Sequence, residues 1–167
     1  PLPWYAEEKA LSGAYAAVIG LELLAARDGR LLWQALALGD CCLAQVRHNE
    51  LLTFFPANDS TYFTNHPYLL SSNPARNHDL SSALTRKEGT TAVGDTFYLM
   101  SDALAHWFLG ACEAKVQPWR ALESVASSPN MRQFHTWIDE LRASHSIRND
   151  DVTLLEVKLR KEEDEGP

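Results

Sequence analysis

Residues 94–115 constrain this chain more than any other part of it. Thr96-Phe97-Tyr98-Leu99-Met100 is a short apolar and aromatic run behind a Gly94-Asp95 turn, the pattern of a buried strand. It stops at Ser101-Asp102, and residues 103–115 then carry Leu104, Trp107, Phe108 and Ala111 at helical spacing. Ser101 or Asp102 is placed to serve as the N-cap. A carboxylate where a strand ends and a helix begins sits at the rim of a sheet, where a cation can be held. A second such rim occurs at Arg148-Asn149-Asp150-Asp151, which opens a strand over 152–159 carrying Val152, Leu154, Leu155, Val157 and Leu159. Taken singly, an Asp at a helix start is ordinarily a cap, and Asp-Asp before a strand is ordinarily a turn.

The 46% apolar content of these 167 residues supplies the core of one domain, expected over residues 1–160. Residues 161–167 are charged, without apolar anchors, and read as a disordered tail. A net charge of -7 and a pI near 5.3 argue against nucleic acid as a partner. The longest apolar stretches, around 14–26 and 31–38, are interrupted by Glu22, Arg27, Asp28 and Gln34 and fall short of the roughly 20 residues that span a bilayer. Pro1-Leu2-Pro3-Trp4-Tyr5 shows no secretory signal pattern and reads as the middle of a longer chain or as a cut piece. Cys41, Cys42 and Cys112 lack zinc-site spacing; reduced, buried thiols and a cytoplasmic location are expected.

In chain order, residues 7–27 mix Gly13, Ala14, Ala16, Ala17 and Gly20 with Tyr15, Val18, Ile19, Leu21, Leu23 and Leu24, and are expected to form a helix ended by Asp28-Gly29. Residues 30–38, 41–47 and 51–55 read as three strands of one antiparallel meander. The Pro-, Asn- and Ser-rich run 56–77 reads as a long ordered surface loop. A further strand is expected at 79–85, and 86–91 is polar and expected to be mobile. Pro118 fits the first turn of a helix over 119–127, and Phe134, Trp137, Ile138 and Leu141 stripe another over 131–144.

The succession Gly-Asp, strand, Ser101-Asp102-Ala103, helices, Asp150-Asp151-Val152-Thr153 and a closing strand resembles the C-terminal two-thirds of the metal-dependent serine/threonine phosphatases of the PP2C type, particularly compact bacterial members. The likeness runs from about Gly13 to Val157. It implies an α+β fold, an antiparallel β-sandwich with helices on both outer faces, and a metal cleft at one end. Asp102 matches the liganding Asp of the family's Thr/Ser-Asp-Gly motif, and Asp150 that of its closing Asp-Asn/Asp-x-Thr motif. Asp40, in Gly39-Asp40-Cys41, matches a position that touches a third, weaker metal in some members. Ala103 replaces the family's Gly, and Cys41 its Ser. The family's Asp-Gly-x-Gly motif, with the bridging Asp, and an upstream phosphate-holding Arg are absent. They normally precede residue 13, so the N-terminal strands of one sheet and half the metal site are missing from this chain.

The resemblance implies hydrolysis of phosphoserine or phosphothreonine in proteins, with two Mg²⁺ or Mn²⁺ ions activating a water for in-line attack on phosphorus. A phosphoprotein substrate and a cognate Ser/Thr kinase system would be the partners, with no nucleic acid and no membrane. The rival is a catalytically silent PP2C-like interaction module in which the fold survives without the metal site. Asp102 and Asp150, 48 positions apart, are expected to converge. His106, four residues after Asp102 on the same helical face, reads as a structural histidine. Trp107, Trp119 and Trp137 read as core aromatics.

Overall fold

A computed structural model describes residues 13–64, 66–127 and 130–161. Nine strands are described: β1 (Tyr15–Ala16), β2 (Val18–Ala25), β3 (Leu31–Leu38), β4 (Cys42–Arg47), β5 (Glu50–Phe55), β6 (Leu70–Ser71), β7 (Thr85–Thr91), β8 (Thr96–Met100) and β9 (Leu154–Lys158). Four α-helices accompany them: α1 (Leu80–Ala83), α2 (Asp102–Glu113), α3 (Pro118–Ala126) and α4 (Met131–Ala143). The strands form antiparallel sheets in the orders β2-β3-β7 and β5-β4-β8-β9, with β1 and β6 as a separate pair.

Side chains alternate across each strand, so the four-stranded sheet buries both faces. One face presents Leu43, Phe55, Phe97 and Leu99 to Trp33, Ala35 and Ala37 of β3, closing a core between the two sheets. Trp33 meets Phe97 edge-on at 5.8 Å. The other face presents Cys42, Ala44, Val46, Tyr98 and Met100 to the helices, where Leu104 and Phe108 of α2, Trp119 and Leu122 of α3 and Ile138 of α4 complete the second core. Helical periodicity places those side chains on the sheet-facing stripes. Among the described residues the layers therefore run sheet, sheet, helices. The expected helices on both outer faces are found on one only, and the far face of β2-β3-β7 exposes Glu22, Gln34 and Glu88.

Several expectations are corrected. The described part of 7–27 is strand, not helix; residues 7–12 lie outside the described set. Asp28-Gly29 joins β2 to β3 as a hairpin, closed by Ala26 N–H donating to the Arg30 carbonyl at 2.8 Å. Glycine and alternating leucines suit that ladder, whereas Gly20 inside a helix would cost about 1 kcal/mol. Residues 31–55 are not one meander, because β3 pairs β2 and β7 while β4 pairs β5 and β8. Gly39-Asp40-Cys41 carries the chain from one sheet to the other. The strand expected at 79–85 is largely the short helix α1, and the polar run 86–91 belongs to β7, paired along β3. The tail at 162–167 lies outside the described residues. In the 56–77 segment, two 3-10 turns (Ser60–Tyr62 and Pro74–Arg76) and β6 give the loop its order. Among the described residues, no helix is long and apolar enough to cross a membrane.

Candidate metal and phosphate site

Three acidic segments leave the four-stranded sheet at the same end. Cys42, at the start of β4, pairs with Met100, at the end of β8, and Met100 pairs with Leu154, at the start of β9. Asp40 therefore precedes β4, Asp102 follows β8, and Asp150 precedes β9, on three adjacent strands. Ser101 ties two of these segments together. Its N–H donates to the Thr153 carbonyl at 3.1 Å, its hydroxyl donates to the Asp151 carbonyl at 3.1 Å, and it accepts from the Thr153 N–H at 3.0 Å. Ser101 occupies the N-cap of α2 without making a side-chain cap bond, since its hydroxyl is engaged with that loop. Asp102 is the first helical residue, where the helix N-terminus favours negative charge.

The Asp150 backbone is held on both sides. Its N–H donates to the Arg148 carbonyl at 3.0 Å, and its carbonyl accepts from Arg142 Nη2 at 2.7 Å. Asp40 sits beside Gly39, whose φ of +88° suits glycine and whose added Cβ would meet the Ala17 Cβ at 2.8 Å. The Tyr62 hydroxyl donates to the Gly39 carbonyl at 3.0 Å, bringing the 56–77 segment over this end of the sheet.

Burial, then repulsion from Asp102 and with it Asp150, raises the Asp40 pKa; its own backbone and Arg148 oppose the shift. Burial also pushes the Cys41 thiol up to about 11 and Cys42 to about 12, with the neighbouring carboxylates adding to both. Cys112 likewise rises to about 11, first through burial. All three described cysteines are free thiols, and none has the lowered pKa of a nucleophile. His106 packs edge-on against Phe63 at 5.4 Å, and burial followed by Arg148 lowers its pKa against the pull of Glu113 and Asp102.

The donor chemistry, carboxylate oxygen alone, suits a hard divalent ion such as Mg²⁺ or Mn²⁺. Among the described residues, however, no three of His, Cys, Asp and Glu close into a group that could hold a metal. Asp40, Asp102 and Asp150 share this end of the sheet without closing such a group. A groove of about 640 Å³ lies elsewhere, on the far face of the three-stranded sheet between Gly20, Leu36 and Arg86. It is lined by Glu22 and Glu88 beside Arg86 and Lys87, away from the residues that the motifs single out.

Two features escaped the sequence reading. Arg148 was visible only as the residue opening the acidic motif, with nothing to indicate its reach to Phe63. Asp95 read as a turn residue, yet it is a buried carboxylate with Arg47 Nη2 and Gln45 Nε2 each donating to it at 2.8 Å.

No protein-family profile matches the sequence, and no curated protein matches it. Among solved structures, the chain is similar to the photosystem II phosphatase PBCP, with 17% identity and a TM-score of 0.47 over 80% of this chain and 46% of that one. It is also similar to the phosphatase domain of the cell fate determinant SpoIIE from Bacillus subtilis, with 12% identity and a TM-score of 0.42 over 97% of this chain and 65% of that domain. The chain therefore spans about half of the first structure and somewhat under two-thirds of the second.

Proposed function

We propose that this chain supplies the C-terminal part of a PP2C-type phosphatase site that hydrolyses phosphoserine or phosphothreonine in proteins. The observation that carries the reading is the exit of the Asp40, Asp102 and Asp150 segments at one end of three adjacent strands, two of them joined through Ser101. Asp102 and Asp150 would hold Mg²⁺ or Mn²⁺, and Asp40 a third, weaker ion. Such ions, when bound, neutralise phosphoryl charge and acidify water. The chain's own part is placement. Ser101 fixes the spacing of the two ligand loops, Arg142 clamps the Asp150 backbone, and the first turn of α2 supports the Asp102 carboxylate. Burial and then repulsion from Asp102 and Asp150 raise the Asp40 pKa, and a cation among these groups would offset the repulsive part.

A catalytically silent module of the same fold is the second reading. It is favoured by the lack, among the described residues, of a three-ligand group. Hydrolysis of p-nitrophenyl phosphate and of a phosphothreonine peptide separates the two, using the whole reading frame and these 167 residues alone. The whole frame is expected to be active with Mn²⁺ and inactive with chelator, and the 167 residues alone inactive. Asp102→Asn and Asp150→Asn should each lower the rate on the order of 100-fold or more. Inactivity of the whole frame in every metal, or full activity of the Asn variants, leaves the silent module.

A further inference from the structure

We propose that Tyr62 is a positioning residue for the Asp40 segment, the middle anchor of a strap over residues 59–63 that ties the crossing between the two sheets to helix α2. The inference rests on the phosphatase reading, in which Asp40 serves a weaker ion, and adds to it the residue that holds the Asp40 segment in place. The strap has its own local order: Asp59 caps the 3-10 turn (Ser60–Tyr62) by accepting from the Thr61 N–H at 2.9 Å. It is anchored at three points. The Ser60 N–H and hydroxyl donate to the two carboxylate oxygens of Glu113, the last residue of α2, at 2.7 and 2.8 Å. Phe63 is buried in the helix-side core and stands edge-on to His106, in the same helix, at 5.4 Å. Between these two, the Tyr62 hydroxyl donates to the Gly39 carbonyl at 3.0 Å.

The peptide that Tyr62 grips is the one that leads into Asp40. A peptide unit is planar, so fixing the Gly39 carbonyl also fixes the direction of the Asp40 N–H and the start of the Asp40 backbone. The sheets themselves do not fix it, because β3 ends at Leu38 and β4 begins at Cys42. Gly39 is walled in on two sides: a Cβ there would meet the Ala17 Cβ at 2.8 Å and the Tyr68 carbonyl oxygen, from the same 56–77 segment, at 3.3 Å. Those walls limit how far the crossing can move, and the Tyr62 bond selects one orientation of the peptide within them. Two ties then set this end of the sheet. Ser101 joins the Asp102 and Asp150 segments, and the strap joins the Asp40 segment to α2, the helix that Asp102 opens. Loss of the Tyr62 hydroxyl releases the second tie and leaves the first intact.

Tyr62→Phe removes the hydroxyl and keeps the ring, which stands edge-on to Phe63 at 5.7 Å. Cys41, next to Asp40 and half-buried, is the probe: alkylation of each free thiol by iodoacetamide is followed by peptide mass spectrometry, with no metal added. Loss of one hydrogen bond should raise the Cys41 rate about fivefold, while the Cys42 and Cys112 rates and the unfolding temperature hold. Glu113→Ala, which releases the strap from its other end, should also raise the Cys41 rate, and adding it to Tyr62→Phe should change little further. With Mn²⁺ binding followed by electron paramagnetic resonance, Tyr62→Phe should weaken the weaker class of ion and leave the tighter one. An unchanged Cys41 rate in Tyr62→Phe overturns the proposal, and so does an equal rise at all three cysteines, which marks general loosening. The two readings fail separately. If Asp102→Asn and Asp150→Asn leave Mn²⁺ affinity intact while Tyr62→Phe still frees Cys41, the metal reading falls and the strap stands. If the Asn variants lose Mn²⁺ while Tyr62→Phe leaves Cys41 as it was, the strap alone falls.

Discussion

Asp95 shows how much a single side chain can be asked to do. It is 1% exposed, and burial alone would raise its pKa. Hydrogen bonds from Arg47, Thr91, Gln45 and the Ala92 N–H outweigh that and hold the carboxyl far below its usual range. Because the folded pKa is depressed, the unfolded chain binds the proton more readily. This stabilisation is therefore complete above the unfolded value of about 3.9 and is lost as pH falls below it. Asp95→Ala leaves Gln45 and Arg47 without their partner and should cost about 3 kcal/mol at pH 7, the low end for a broken buried pair because Arg47 still reaches water. Urea unfolding at pH 7, 4 and 3 checks this: the gap between wild type and variant should shrink as pH falls, and a constant gap would contradict it. The Gly94-Asp95 turn was legible in the sequence. The network was not, since Gln45 and Arg47 lie 50 and 48 positions away.

Among the elements, those with a dense one-period pattern were read well. β8, α2, α3 and α4 fall within two residues of expectation because each pairs an apolar stripe with a clear stop. β7 was missed because Thr85-Arg86-Lys87-Glu88-Gly89-Thr90-Thr91 is polar throughout, as an edge strand with one open side can be. Gly89 packs close against the core. It stands opposite Trp33, and an added Cβ would lie 2.7 Å from the indole nitrogen. That nitrogen donates to Gln45 Oε1 at 3.1 Å, so the ring is not free to turn away. Gly89→Ala should destabilise by about 1–3 kcal/mol through overpacking. Gly110, inside α2 with open space where its Cβ would go, gives the contrast: Gly110→Ala should stabilise by about 1 kcal/mol. Denaturant midpoints followed by tryptophan fluorescence decide it, and two changes of the same sign would refute the packing argument.

The molecule as a whole treats the two ends of β8 differently. At one end Asp95 is bonded to Arg47, Gln45 and Thr91; at the other the segments carrying Asp40, Asp102 and Asp150 leave the sheet together. The sequence revealed which aspartates lie at strand ends, because turn and cap patterns are local. It concealed the division into two sheets, since Gly39-Asp40 reads as a hairpin turn when it is the crossing between them. On the proposed reading, a divalent cation entering among Asp40, Asp102 and Asp150 offsets the repulsion that Asp40 meets from the other two. Mn²⁺ should therefore raise the unfolding temperature of the chain even without catalysis. At about ten times the dissociation constant, linkage gives about 1.4 kcal/mol, or about 3–6 °C for a chain of this length. Asp102→Asn and Asp150→Asn should abolish most of that rise. Asp40→Asn should instead raise the unfolding temperature in chelator, because it removes the carboxylate that burial and its neighbours disfavour. A Mn²⁺ response that survives in both Asp102→Asn and Asp150→Asn would mean that the ion binds elsewhere and that this end of the sheet is acidic for another reason.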